Sequence, residues 1–240
     1  MKKNSTVITI MKRELSAYFT SPIAYIVTGL FVIASGILFF NTFFLINRAE
    51  LRNFFGMLPI TLSFFIPALT MRLFADEKKS GSLETLLTLP VTAFNVVLGK
   101  FLASFITGLT LLIPSIFYVI TCYIFGSPDI GPIVGGYLGA FFLIAAFNSI
   151  GLFATSVTKN QIIAFFIAFS ICILLTLLNQ LAIFLPSFTV KVVTYLSAMT
   201  HFESISRGII DSRDLTYFLS ITALFFGLTV QSIKQNGSGR

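Results

Sequence analysis

The sequence predicts an all-α membrane protein with six transmembrane helices, and its composition is the first reason. Of the 240 residues, 56% are hydrophobic and only 10% are charged, and the mean hydropathy is +0.94. A soluble domain carries about 25% charged residues. The 29 Phe and the absence of Trp suit contact with hydrocarbon. This composition excludes a soluble enzyme, a disordered chain and a disulfide scaffold.

The N-terminal segment 1–22 predicts a short amphipathic helix at the membrane interface. Its apolar residues recur at helical spacing, and they are Ile8, Met11, Leu15 and Tyr18. The other side of the same helix is polar and basic, with Lys12, Arg13, Ser16 and Thr20. Such a helix lies in the interface, and Ser21-Pro22 ends it. We expect Lys12, Arg13, Glu14 and Tyr18 to characterise it; the alternative is a disordered tail.

Six apolar stretches follow, and together they form a predicted transmembrane domain 23–233. A span needs about 20 apolar residues to cross the hydrocarbon layer. The stretches cover about residues 23–46, 57–74, 96–124, 132–157, 162–185 and 215–233. Pro59 and Pro67 interrupt the second stretch, and prolines are tolerated in spans whose neighbours satisfy the freed carbonyls. Residues 234–240 are predicted to form a short tail.

The net charge of +7 is interpreted as orienting the chain in the membrane. Eleven of the 16 Lys and Arg residues fall on the side of the N-terminus and five on the other. The positive-inside rule then places both termini in the cytoplasm. A nucleic-acid partner is not expected, since no dense basic run of about 5–8 residues occurs.

The connection between the second and third stretches is the most patterned one. Gly81 and Glu84 form half of a capping box, and they open a predicted helix over residues 82–89 that Pro90 stops. One side of this helix carries leucines, which are Leu83, Leu86 and Leu87. Thr92 is predicted to cap the next helix, and Lys100 to extend toward the lipid headgroups. Since so short a helix is unstable alone, its leucine face needs either the chain's own bundle or a partner protein.

The connection before the last stretch is long, and it predicts one or two short helices that dip back toward the membrane. Its charged side chains include Glu203, Arg207, Asp211, Arg213 and Asp214. We interpret them as local ion pairs and helix caps; a substrate site is the alternative. His201 is the one histidine of the chain, and Cys122 and Cys172 are isolated. No metal site is therefore expected.

The spans carry no pattern of catalytic residues. No phosphate-binding loop occurs, and every acidic residue falls at the end of a span or in a connection, which argues against a proton-driven carrier. Polar groups such as Asn148 are interpreted as interhelical hydrogen-bonding groups, with pathway lining as the alternative. Gly131, Gly135 and Gly139 have the G-x-x-x-G spacing that allows close helix packing.

The phrase EKKSGSLETLLTLP, from Glu77 to Pro90 and followed by Gly99-Lys100, resembles the E-x-x-x-G-[ST]-L-E-x-L-L-x-x-P signature of ABC-2 type transporter permeases. Two further phrases are similar to that family, namely the one from Glu14 through Tyr18 to Pro22 and the one from Ser156 to Gln161. The segment from His201-Phe202 to Tyr217-Phe218 resembles the gliding-motility and copper-enzyme-maturation branch. Its outer-loop residues are His201, Arg207, Asp211 and Asp214.

The resemblance implies a permease subunit with an N-terminal interfacial amphipathic helix, a cytoplasmic coupling helix and short re-entrant helices before the last span. It implies a dimer in the bacterial inner membrane, a separate ATPase that binds ATP and Mg²⁺, and a large auxiliary membrane protein. The chain itself would hold no cofactor and catalyse no reaction. The coupling residues would be Glu77, Gly81, Leu83, Glu84, Leu86, Leu87 and Pro90.

In that interpretation the leucines insert into a cleft of the ATPase, while Glu77 and Glu84 meet basic groups at its rim. The expected function is ATP-driven export. One alternative is a non-transporting mechanotransmitter or scaffold worked by an ATPase, and another is an intramembrane enzyme or channel.

Overall fold

The computed structural model describes residues 3–46, 50–88, 91–181 and 187–238, and these residues form helices and turns without any strand. The helices are α1 (Lys3–Thr20), α2 (Pro22–Ile46), α3 (Arg52–Thr70), α4 (Ala75–Ser80), α5 (Ser82–Thr88), α6 (Ala93–Thr110), α7 (Ile116–Phe125), α8 (Ile130–Val157), α9 (Gln161–Leu181), α10 (Ser187–Leu196), α11 (Ala198–Ser206) and α12 (Ser212–Ser238). Leu89, Pro90 and residues 182–185 of the predicted fifth span lie outside the described residues.

Six helical stretches in the described part are long and apolar enough to cross a membrane, which confirms the predicted number. They are Pro22–Phe44, Arg52–Ser80, Ala93–Phe125, Ile130–Val157, Gln161–Leu181 and Ser212–Gln235. The predicted short N-terminal helix is α1, and Ser21 separates it from α2. Helices α10 and α11 occupy the connection where one or two short helices are predicted. Helix α12 continues into the residues predicted to be a tail.

Prolines act differently in two of the crossings. Helix α3 stays helical through Pro59 and Pro67. The third crossing, by contrast, is two helices joined by turns and a 3₁₀ segment at Ile113–Ser115, where the sequence predicts one continuous span. Pro114 lacks an N–H and its ring crowds the preceding turn. The carbonyl of Leu112 instead accepts the N–H of Ser115 at 3.1 Å, three residues on.

Helix α8 lies at the centre of the bundle and packs against α3, α6, α9, α11 and α12. Small residues let its neighbours come close. A Cβ on Gly136 would lie 2.5 Å from the ring of Phe55 in α3, and a Cβ on Gly151 would overlap Thr70 at the other end of α3. Asn148 of α8 donates to the carbonyl of Phe101 in α6 at 3.1 Å, which is an interhelical hydrogen bond of the predicted kind.

Candidate functional site

The residues of the patterned connection meet the N-terminal helix at one end of the bundle. We call this the motif end, and define it as the end that carries α1, α4 and α5. There α1 packs on α6, α4 contacts α9, and α5 contacts α12. The described part of the signature phrase, residues 77–88, therefore lies beside the ends of the crossing helices.

A tight turn at Gly81 separates α4 from α5. Gly81 has φ +73° and ψ 0°, a left-handed conformation that costs glycine little and other residues more. Its carbonyl accepts the N–H of Glu84 at 3.2 Å, which starts α5. The predicted helix over residues 82–89 is thus observed as Ser82–Thr88. The predicted cap of α6 is confirmed, because Thr92 Oγ1 accepts the N–H of Asn95 at 3.3 Å.

The leucine face of α5 is turned partly into the chain's own core. Leu83 is only 3% exposed and lies in one cluster with Phe74, Val96 and Ile233, and Leu86 packs against that cluster. The side chain of Leu87 and the whole of Pro90 lie outside the described residues. Glu84, in contrast, is exposed. Leu83 therefore stabilises the position of α5, and among the described side chains of α5 the exposed ones are polar, namely Ser82 and Glu84.

Lys100 is the most deeply buried charged group described in the chain, at 1% exposure. Its Nζ lies 3.1 Å from Glu14 Oε1 and 3.0 Å from Glu77 Oε1, and it donates to the carbonyl of Leu73 at 2.8 Å. These three acceptors match the three donors of an ammonium group. The expectation that Lys100 extends to the headgroups is wrong, because two carboxylates compensate its charge inside the protein.

Arg13 completes a cluster of two cations and two carboxylates. Its Nη2 lies 2.6 Å from Glu14 Oε1 and 3.1 Å from Glu77 Oε1, and its side chain is half exposed. We call Arg13, Glu14, Glu77 and Lys100 the Lys100 cluster. Burial raises the pKa of Glu14, but Lys100 and Arg13 outweigh it, so the pKa of this carboxyl lies below its ordinary value. The hydrogen bond from Arg13 to Glu14 in turn raises the pKa of Arg13 despite partial burial.

Gly99 explains how α1 reaches Lys100. A Cβ on Gly99 would lie 2.8 Å from Ile10 Cγ2 and 3.1 Å from the carbonyl oxygen of Val7. The missing side chain therefore lets the backbones of α1 and α6 approach. Tyr18 fixes the other end of α1, since its hydroxyl donates to the carbonyl of Leu69 in α3 at 2.9 Å.

Two neighbours of Glu77 also bind outside α4. Gln161 Nε2, at the start of α9, donates to Asp76 Oδ1. Lys78 Nζ donates to the carbonyl of Ser156, near the end of α8. Sequence reasoning missed these contacts, although the phrase from Ser156 to Gln161 marks the residues that make them.

At the opposite end of the bundle, His201 connects α11 to α12. Its Nδ1 lies 2.6 Å from Asp214 Oδ1, and its Nε2 lies 2.8 Å from the carbonyl of Tyr195. The His201 ring stacks on Tyr217 with centroids 4.1 Å apart. These contacts join three successive helices, α10 to α12.

The other predicted residues of that connection form local ion pairs and caps. Arg207 Nη2 lies 3.5 Å from Glu203 Oε2, and Asp211 Oδ1 accepts the N–H of Arg213 at 2.9 Å. Within the described part of the chain, no group of three or more His, Cys, Asp or Glu is placed to hold a metal ion.

The glycine stripe of α8 faces α11 and the turn after it. A Cβ on Gly135 would overlap the carbonyl of Ile205. One on Gly139 would lie 3.1 Å from the Phe202 ring, and one on Gly208 would lie 3.1 Å from the backbone of Gly131. This close packing places α11 against the central helix.

Six helical stretches that are long and apolar enough to cross a membrane define a multi-pass membrane protein. At one end of it, Glu77 of α4 is ion-paired to Arg13 of the N-terminal helix. The ABC-2 type transporter family matches residues 5–210, and the chain belongs to that family. Its members are generally non-catalytic membrane subunits that work with an ABC ATPase. No curated protein matches the chain.

Proposed function

We propose that the chain is the permease subunit of an ABC-2 type exporter, driven by a separate ATPase that docks on α4 and α5. The observation that supports this most directly is the construction of that segment. Its inner side is held by the Lys100 cluster and by Leu83, while Lys79, Ser80 and Glu84 are exposed. A segment that is fixed to the bundle on one side and accessible on the other is suited to receive a partner.

The motif end would face the cytoplasm, where eleven of the 16 Lys and Arg residues fall in the predicted topology. ATP and Mg²⁺ would be bound by the partner, since the sequence has no phosphate-binding loop. A second permease copy or paralogue would complete the transmembrane path. The same proposal places the chain in the gliding-motility and copper-enzyme-maturation branch, with an auxiliary membrane protein in a bacterial inner membrane. Its support is the resemblance of the segment from His201-Phe202 to Tyr217-Phe218 to that branch.

Two residues expected to contact the ATPase, Leu83 and Glu77, are engaged within the chain itself. Leu83 is buried in the chain itself, and Glu77 is engaged by Lys100 and Arg13. The ATPase would therefore meet the turn at Gly81 and the exposed edge of α5 that carries Glu84. Its recognition of the permease would be partly electrostatic.

Co-purification in detergent with the ATPase encoded beside this chain tests the proposal. Glu84→Arg and Lys79→Glu alter exposed positions at the motif end, and Arg213→Glu is the matched change at an exposed position of the opposite end. We expect the first two variants to lose the ATPase and the third to retain it, with all three monodisperse. Retention of the ATPase by both motif-end variants would place the docking surface elsewhere.

A further inference from the structure

Three consecutive side chains of α4 bind three different parts of the bundle. Asp76 accepts a hydrogen bond from Gln161 of α9, and Lys78 donates to the carbonyl of Ser156 of α8. Glu77, between them, is ion-paired to Lys100 of α6 and Arg13 of α1. We propose that Asp76, Glu77 and Lys78 form a linkage that makes α1, α6, α8 and α9 follow any displacement of α4, with Lys100 as its central positioning residue.

The size of α4 makes these contacts decisive. It has six residues, and so short a helix has no independent stability. Only Ala75 of α4 is buried, so apolar packing contributes little to its position. The polar contacts therefore determine where α4 lies relative to the crossing helices.

The Lys100 cluster is the one of the three connections that is built on a buried charge. Lys100 is buried with all of its donors used, and a buried charge cannot leave its partners without a large penalty. Apolar contacts lack direction, and helices can slide along them. Directed contacts from a buried cation to Glu14 on α1 and Glu77 on α4 resist that sliding.

The connection through Lys78 extends further, because the Ser156 carbonyl also accepts the hydroxyl of Ser232 in α12 at 3.1 Å. One backbone oxygen at the end of α8 thus joins α4 and α12. Helices α6, α8 and α9 thus contact α4 directly through polar groups, and α12 is connected to it through the Ser156 carbonyl.

That an ATPase displaces α4 rests on the proposed function, whereas the linkage itself can be tested on the permease alone. Spin labels at Ser16 of α1 and Lys79 of α4, both exposed, would report the distance between these helices in nanodiscs. The background would have Cys122 and Cys172 replaced by Ala. We expect one narrow distance distribution for the parent protein and a broad one for Lys100→Met.

Further variants separate the linkage from general instability. Glu77→Gln removes one charge and keeps the shape, so it should fold and still broaden the distance. Lys100→Arg keeps the charge and should restore a narrower distance than Lys100→Met. Arg213→Gln, at the opposite end, should leave the parent distance unchanged.

Co-purification of the ATPase with Glu77→Gln completes the test. A broadened α1–α4 distance with the ATPase still bound would support the linkage. An unchanged distance in both Glu77→Gln and Lys100→Met would overturn it, whether or not the ATPase binds, and would leave the docking proposal standing. Loss of the ATPase from Glu84→Arg alone bears on the docking proposal and not on the linkage.

Discussion

Replacing Gly99 by Ala should separate α1 from α6. The new Cβ would lie 2.8 Å from Ile10 Cγ2, 2.9 Å from Ile10 Cβ and 3.1 Å from the carbonyl oxygen of Val7. Ordinary van der Waals contact begins at 3.4 Å, so these atoms must retreat by a few tenths of an ångström. Two of them belong to the backbone or are bonded to it, and α1 must therefore move as a body.

The size of the effect follows from two opposing contributions. Overpacking of a well-packed site costs about 1–3 kcal/mol, while Ala gains up to about 1 kcal/mol over Gly in a helix. Gly29→Ala in α2 isolates the second contribution, because a Cβ there meets nothing within 4 Å. The free energies of unfolding of the two variants should differ by about 1–3 kcal/mol, or about 2–12 °C in Tm at 2–4 °C per kcal/mol.

The difference in stability between the two variants is measured by thermal unfolding in detergent, with the loss of monodisperse protein as the readout. Gly99→Ala should unfold below the parent or near it, and Gly29→Ala at or above it. The α1–α4 spin-label distance should shift in Gly99→Ala, since displacement of α1 pulls Glu14 away from Lys100. Equal unfolding temperatures of the two Ala variants would refute the close approach of α1 and α6.

Three further predictions concern the same end of the bundle. Tyr18→Phe removes the hydroxyl that donates to the Leu69 carbonyl and should lower the unfolding free energy by about 1 kcal/mol, measurable as a reduced Tm. Gly81→Ala adds a Cβ that meets nothing within 4 Å, so its cost of about 1–2 kcal/mol is that of a left-handed backbone; ATPase binding should weaken, and less so in Gly81→Asn. Because the pKa of Glu14 is lowered from 4.5, the ion pairs contribute fully above pH 4.5 and lose strength as the pH falls through the lowered value. Unfolding temperatures measured against pH should therefore drop more steeply in acid for the parent than for Glu14→Gln; parallel curves would contradict this.

The sequence was sufficient for the number of crossings and for features set by neighbouring residues. A run of about 20 apolar residues has few alternatives to a membrane helix, and the cap at Thr92 depends on residues three positions apart. Lys100 was predicted wrongly because its partners lie far away in the sequence: Glu14 is 86 positions from it. A lysine beside a span ordinarily extends to the interface, and only the fold shows that two carboxylates meet it first.

The difference between the prolines had a similar origin. Pro59 and Pro67 remain in one helix, whereas Pro114 lies in the 3₁₀ segment that separates α6 from α7. All three have the same local chemistry, so the outcome depends on tertiary packing. The burial of Leu83 was also open at the level of sequence, since a leucine face needs a partner without specifying whether that partner is the chain itself.

The positions of the signature residues assign two different tasks to one phrase. Glu77 and Leu83 point into the chain, where they meet Lys100 and the cluster around Phe74, while Gly81 and Glu84 lie at the accessible edge. A surface that only docked a partner would not need a buried carboxylate on a buried lysine, and a purely structural turn would not need an exposed edge. Residues of both kinds lie within eight positions, so under the proposed function a force received at the edge would reach the buried side directly. The Gly99-Lys100 pair belongs to the same device, because Gly99 admits α1 and Lys100 binds it to α4.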